Sequence, residues 1–543
     1  MFNAIFNLPE VKNEPVRAYA PGSPERKSLQ AKLAEMRQQV VDLPMIIGGE
    51  EVRSGNKKEV RPPHDIAHLL GYYHQGDKTH IQAAIDAAVA AKPAWEAMNW
   101  EDRASIFLKA AELIAGPYRD RINAATMLGQ SKNAFQAEID SSCELIDFLR
   151  FNVKNMYDIY STQPASSPGI WNKTSWRPLE GFVFALTPFN FTAIAGNLPT
   201  SPAMMGNVCV WKPSKTATYS ASIIMEVLKE AGLPDGVINL VYCSGPDASD
   251  VIFSSRYFAG IHFTGSTGVF NDIWKTIVNN IDKYISYPRI VGETGGKDYI
   301  FAAPSSNAKE VATAITRGAF EYQGQKCSAA SRAYIPCNIW EEVRGYLADD
   351  LSKIKMGGVE DFTNFVNAVI DESSFDKLKR YIDEAKVSDE AEVIFGGDCD
   401  KSVGYFIAPT VILTTNPKYI TMQEELFGPV ITIYGYDSNN VDAAIDMLDE
   451  GSTYALTGAI FSGDRAEIAR LTYRLRNTAG NFYINDKPTG AVVNQQPFGG
   501  GRASGTNDKA GSALNLFRWT SPQTIKETFL PARDYMYPNF LED

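Results

Sequence analysis

From Gly181 onward the chain alternates short apolar runs with helical text, and this alternation restricts the fold more than any other feature. Apolar Phe182–Leu186 ends at Thr187-Pro188-Phe189-Asn190. Helical 194–205 follows, then apolar Val208–Lys212, helical Thr218–Ala231, apolar 237–243, a short helical piece near 248–253, apolar 260–263 and a helix from Ser266. Strands that alternate with helices form βαβ units, so a parallel sheet is predicted. A second alternation runs from Tyr299 to about Asn485, with strands at 299–302, 332–335, 410–413 and Val430–Tyr436. Two such halves leave a cleft between them, and ligands of parallel sheets bind outside the carboxyl ends of strands.

Before Gly181 the text is mostly helical: 28–41, a helix capped by Asp77 or Thr79, 102–115, and one long stretch over 119–160. Segment 161–172 is rich in Ser and Pro and leaves the domain body. The tail carries strand-like 524–528.

Composition excludes several classes. A formal net charge of -12 over 543 residues disfavours nucleic acid and anionic membrane surfaces, which attract basic patches. Six cysteines without a CxxC pair fit a reducing compartment. The five histidines show no metal spacing, so no metal is expected. No run approaches the roughly 18 apolar residues of a membrane span. Met1 to Pro9 has neither a secretory nor a transit-peptide pattern, so a cytoplasmic protein is expected, with the mitochondrial matrix as alternative if a leader has been removed.

Several stretches carry candidate chemistry. Cys327 follows the helical run Ala308–Phe320 in a polar turn, with Gly324 upstream and Lys326 beside it. A neighbouring cation and helix-end amides lower a thiol pKa, and the thiolate is the nucleophile. The bland alternative is a half-buried turn cysteine. Glu293, at a glycine-rich turn after an apolar run, is either a general base or a capping or salt-bridged glutamate near Lys297. Asn190, at a strand end, is either an oxyanion donor or a plain helix cap. Gly265-Ser266-Thr267-Gly268 opens a helix after a strand, where backbone amides suit a pyrophosphate, and Lys212 leaves another strand within reach of ribose or phosphate. Nucleophile, base, amide donor and phosphate site together suit oxidation of an aldehyde through a thioester.

In order along the chain, Pro188-Phe189-Asn190, Lys212-Pro213-Ser214, Phe263-Thr264-Gly265-Ser266, Glu293-Thr294-Gly295-Gly296-Lys297, Gly324-Gln325-Lys326-Cys327, Glu425-Leu426-Phe427-Gly428-Pro429 and Pro497-Phe498-Gly499-Gly500 resemble the signatures of the aldehyde dehydrogenase superfamily. The resemblance covers about residues 45 to 530. Within it, Ala137-Glu138-Ile139-Asp140, Glu144-Leu145-Ile146-Asp147-Phe148, Phe191-Thr192-Ala193-Ile194, Cys327-Ser328-Ala329, the run from Gly480 to Lys487 and Gln495-Gln496 are most similar to the branch that oxidises L-glutamate γ-semialdehyde.

The resemblance implies an α/β fold of the aldehyde dehydrogenase kind. Residues 1–160 and 178–297 would form a Rossmann-like NAD-binding domain and 298–500 the catalytic domain. Segments 161–177 and 501–543 would form a small β oligomerisation flap, so at least a dimer is expected. It implies Cys327 as nucleophile, Asn190 as oxyanion donor and Glu293 as base. Thr187, Pro188, Lys212, Ser214, Gly265, Ser266, Glu425 and Phe427 would hold the cofactor. The Gly490-Ala491 loop, with Ser328, would hold the substrate carboxylate, Glu144 its ammonium, and Phe191 and Phe498 its methylene chain. Lys215 stands where many relatives carry an acid that holds the adenosine ribose, so NAD is expected with NADP as the alternative. Three rivals remain: a dehydrogenase for another semialdehyde such as succinic semialdehyde, a CoA-acylating enzyme, which Glu293 argues against, and an inactive protein of this fold.

Overall fold

The computed structural model describes residues 6–542; Met1 to Ile5, part of the stretch read above for a leader, lie outside them. Strands Phe182–Leu186 and Val208–Lys212 are apolar almost throughout because helices cover both faces of their sheet, as parallel strands require. They pair in parallel, with Leu186 opposite Lys212. The first sheet has the order Arg289–Glu293, Phe258–Thr264, Phe182–Leu186, Val208–Lys212, Ile238–Leu240, Met45–Ile47, Glu50–Val52. The chain moves outward from 182 through 208 to 238, then returns to the other side of 182 for the strand at 258. That reversal opens a crevice outside Leu186 and Thr264.

The second sheet runs Ala391–Phe395, Thr410–Thr414, Val430–Tyr436, Ala330–Pro336, Asp298–Ala302, Thr457–Phe461, Asn481–Ile484, parallel except for its first edge strand. Separate apolar clusters fill its two faces. Hydrogen bonds from Asn190 to Gln325 and from Asn133 to Phe365 join the two halves.

The single long helix expected over 119–160 is corrected. Ser131 takes φ 52° and ends the helix Arg119–Gln130. A short turn, Ala134–Ala137, leads into a π-helix, Glu138–Glu144, and then the helix Leu145–Ser161. Wider winding follows from hydrogen bonds to the fifth residue, and apolar spacing does not betray it. The segment 501–543 also divides. Ser521–Thr528 pairs antiparallel with Ile170–Arg177 to make a projecting ribbon. Gly501 to Thr520 instead folds back: Trp519 is fully buried in the first core beside the His262 ring, 4.8 Å away.

Among the described residues no helix is long and apolar enough to cross a membrane, and no cluster of metal-ligating side chains occurs. All six cysteines are unpaired.

Candidate active site

Cys327 sits on the turn between the helix Ala308–Phe320 and the strand Ala330–Pro336. The turn is tight: Tyr322, Gln323 and Gly324 have φ of 51°, 54° and 63°. A Cβ on Gly324 would lie 2.2 Å from the Gly428 carbonyl oxygen, so only glycine fits. Gln323 Nε2 donates to the carbonyls of Ser131 and Ala368, each at 2.9 Å, and Gln325 Oε1 accepts from Ile370 N at 2.8 Å. Asn190, 3% exposed, donates from Nδ2 to Gln325 O at 3.1 Å, which aims its amide at the approach to Cys327. The plain-cap reading of Asn190 therefore fails. Asp140 does the capping, accepting from Thr192 N at 3.0 Å and Ala193 N at 2.8 Å.

The expected lowering of the thiol pKa is also corrected. Lys326 is buried with its ammonium 3.1 Å from the Glu321 carboxylate, which neutralises it. Burial raises the Cys327 thiol well above its ordinary value, and the carboxylates of Asp298, Glu293, Glu425 and Glu144 raise it further. Three of those four are site residues named from the sequence, so thiol, base, cofactor-side and substrate-side acids share one electrostatic neighbourhood.

Glu293 ends the strand Arg289–Glu293, and its Oε2 accepts from Gly500 N at 3.3 Å. Burial holds its carboxyl well above the usual range, with Gly500 and Lys509 opposing. The alternative pairing with Lys297 is not formed; Lys297 Nζ is buried without a hydrogen-bond partner, and burial together with Arg332 pushes it down to about 7. Gly296 allows the next approach, since a Cβ there would stand 2.5 Å from the Cys327 carbonyl oxygen.

The cofactor candidates line the crevice outside the first sheet. Thr187 N donates to Lys212 O at 3.1 Å, and Thr187 Oγ1 accepts from Trp211 Nε1 at 3.0 Å, with half-buried Pro188 next in line. The half-buried Lys212 has no carboxylate or hydrogen-bond partner for its ammonium among the described residues, and burial lowers its pKa. Ser214 Oγ lies 3.2 Å from Thr216 Oγ1. The Gly265 amide already donates to Glu293 O at 3.2 Å, so the free amides at the start of the helix Thr267–Asn279 begin with Ser266, and Gly268 faces open space. Glu425 Oε1 accepts from Gly296 N at 2.9 Å. Phe427, at φ 61°, is held in a region costly for an aromatic residue and packs edge-on against Phe189 at 5.8 Å. A partnerless ammonium and free helix-end amides at one crevice fit a dinucleotide. Lys215 is 74% exposed and lies 4.0 Å from Asp371 of the other half.

On the substrate side, Glu144 closes the π-helix with no hydrogen bond or ion pair among the described residues, and burial with Asp140 nearby raises it to about 8. Phe191 faces the buried Lys132 ammonium at 4.1 Å; Tyr322 faces it at 4.4 Å, and Asp140 pairs with it at 2.5 Å. Ser328 Oγ bonds Thr489 Oγ1 at 2.7 Å, tying the cysteine turn to the Gly490-Ala491 loop. Gly490 has φ 95°, and neither its amide nor that of Ala491 donates to a described group. Phe498 is fixed by a two-way backbone bridge to Ala510 at 3.0 and 2.8 Å. Lys132 and Asp298 were not singled out in the sequence. Asp298 directly follows the Glu293 motif, whereas nothing around Lys132 marks it.

The family model for the aldehyde dehydrogenase family matches residues 51–525. The mitochondrial delta-1-pyrroline-5-carboxylate dehydrogenase of Dictyostelium discoideum is 50% identical over 99% of this chain and 97% of the relative. The human mitochondrial protein of that name is 45% identical over 97% and 94%. A crystal structure of the delta-pyrroline-5-carboxylate dehydrogenase from Mycobacterium tuberculosis bound with NAD superposes with a TM-score of 0.96 at 49% identity, covering all of both chains. With its fold, the order of its motifs and the match over most of its length in agreement, the chain belongs to the aldehyde dehydrogenase family.

Proposed function

We propose that this chain oxidises L-glutamate γ-semialdehyde, the open form of 1-pyrroline-5-carboxylate, to L-glutamate with NAD. The observation that carries the reading is the pair of unpartnered amides at Gly490 and Ala491, tied through Thr489 to the residue after Cys327. Consecutive free amides at a positive-φ glycine make an anion nest, here for the substrate carboxylate. Glu144, once ionised, complements the ammonium, and the Phe191 ring covers the chain between. The names of the relatives point to the same substrate.

Cys327 gives up its thiol proton to solvent, and its Sγ attacks the aldehyde carbon to form a thiohemiacetal. The oxyanion is met by the second hydrogen of Asn190 Nδ2 and by the Cys327 amide, which donates to no described group. NAD, when bound, supplies the acceptor for the hydride that leaves this carbon. Lys212 and Glu425 would hold its ribose, Phe427 would lie beside its ring, and the amides from Ser266 onward would take its pyrophosphate. Glu293, once ionised, draws a proton from water, whose oxygen attacks the Cys327 thioester; the C–S bond breaks to release the acid, and the Cys327 thiolate takes back a proton. The projecting ribbon pairs subunits, so the working form is at least a dimer. The unpaired cysteines support a reducing compartment, the cytoplasm, with the mitochondrial matrix as the alternative.

The test is NADH formation with L-glutamate γ-semialdehyde beside succinic semialdehyde, for wild type and Cys327→Ala. Faster turnover of the first, abolished in the variant, is expected. Faster turnover of succinic semialdehyde overturns the substrate, and turnover surviving in Cys327→Ala overturns the nucleophile.

A further inference from the structure

The loop at Gly490-Ala491 belongs by sequence to the second half, yet it is moored to the first. Val493, 6% exposed, inserts into the first core, where a Cβ on Gly511 would meet its Cγ1 at 3.2 Å and the Phe148 ring at 3.4 Å. Beside it lies the extended N-terminal segment, which precedes the family match at residue 51. Asn13 Nδ2 donates to Val493 O at 2.9 Å and to Asp147 Oδ2 at 2.8 Å, while Asn13 Oδ1 accepts from Gln495 Nε2 at 3.1 Å. One side-chain amide thus joins the far end of the loop to the helix Leu145–Ser161, whose preceding residue is Glu144.

The segment that carries Asn13 is itself fixed. Glu14 N donates to Asp147 Oδ1 at 2.7 Å, and the Glu14 carboxylate pairs with Arg119 and with Arg150, the latter at 2.7 Å. Leu8 and Val11 pack on the first core, and Tyr19 Oη donates to the buried Glu138 at 2.8 Å. Asn13 is therefore a fixed post, not a trailing side chain.

We infer that Asn13 is a positioning residue for substrate: through Val493 and Gln495 it pre-orders the Gly490-Ala491 amides for the carboxylate and fixes their distance from Glu144. The inference rests on the reading of that loop given above. Gly490 at φ 95° and Asn494 at φ 69° are backbone states that a free loop holds only part of the time. Ordering them in advance removes that cost from binding. The effect belongs to substrates with a carboxylate at the far end and not to the reacting aldehyde.

The test uses the full-length enzyme as wild type, Asn13→Ala, Gln495→Ala and the double variant. KM and kcat are measured for L-glutamate γ-semialdehyde and for propanal, which lacks the amino-acid end, and amide hydrogen exchange is followed over 489–496. Asn13→Ala is expected to raise the semialdehyde KM about three- to tenfold, leaving kcat, the NAD KM and propanal kcat/KM unmoved. Exchange over the loop speeds up, and Gln495→Ala adds little on top because both act through one contact. Unchanged semialdehyde KM and unchanged exchange overturn the inference. So does an equal loss for both aldehydes with a lowered Tm, which marks a merely structural role. If wild type itself does not prefer the semialdehyde, the substrate reading falls, and the exchange comparison alone decides whether Asn13 orders the loop.

Discussion

Glu144 holds its proton at neutral pH because burial disfavours the carboxylate, so the ligand-free site stores one acid in the wrong state for an ammonium partner. Its folded pKa of about 8 lies above the ordinary value of 4.5. As pH rises from 4.5 to 8 the unfolded chain loses this proton and the folded chain keeps it, so stability falls through that window. Glu144→Gln is expected to stabilise the fold by about 1–3 kcal/mol at pH 8 and hardly at all at pH 4, as read by thermal melts at both pH values. Semialdehyde kcat/KM is expected to rise toward pH 8 as Glu144 ionises, and pH–rate profiles of Glu144→Gln are expected to lack that rise and to reach a lower plateau. Asn190→Ala, which leaves Cys327 and Glu293 in place, is expected to lower kcat about 10²–10³-fold with little change in the NAD KM, as steady-state kinetics will show. Cys327, Glu293 and Asn190 could be picked out as candidates because each stands in a short local motif. The state of the thiol was not legible: burial raises its pKa most, and Asp298, Glu293, Glu425 and Glu144, which converge only in the fold, raise it further, while Lys326 is paired with Glu321.

At the scale of elements, the turn Glu321–Gly324 carries the site. Three consecutive positive-φ residues bring Gln325 under Asn190 and set Cys327 three residues ahead of the strand Ala330–Pro336. Gly324→Ala would combine a strained φ of 63° with contacts at 2.2 Å to Gly428 O and 2.8 Å to Ala319 O. A loss of at least about 2 kcal/mol in stability is expected, with turnover falling further than the melt explains. Chemical denaturation beside kcat separates the two. Strands such as Phe182–Leu186 and Val208–Lys212 were legible to the residue, since apolar runs between turn signals leave little choice. The π-helix was not. Its winding serves buried pairs, Lys132 with Asp140 and Arg119 with Glu138, whose partners lie several residues off in sequence and follow no period.

At the scale of the molecule, the ribbon of Ile170–Arg177 and Ser521–Thr528 packs on the first core through Trp176 and leaves Trp171 and Ile525 exposed at 53% and 38%. Exposed apolar surface of this kind is a candidate interface. Ending the chain after Thr520 is expected to turn the assembled enzyme into monomers in sedimentation velocity, with the first core intact; an unchanged sedimentation coefficient argues against the ribbon as the pairing surface. The two-half plan was legible from the alternation of strands and helices, whereas the return of Trp519 to the first half was not, because a single tryptophan after a glycine-rich stretch carries no sign of its destination.

That return bears on biosynthesis. The last strand of the first sheet ends at Glu293, but the Trp519 indole and the carbonyl that satisfies Asn207 leave the ribosome roughly 200 residues later. At about 5–20 residues per second the nascent first half waits some 10–40 s for the piece that closes it. The second half, whose sheet ends at Ile484, is complete before the first is sealed. The half made first is thus the half finished last, and through that interval its open edge is a surface for chaperones to guard.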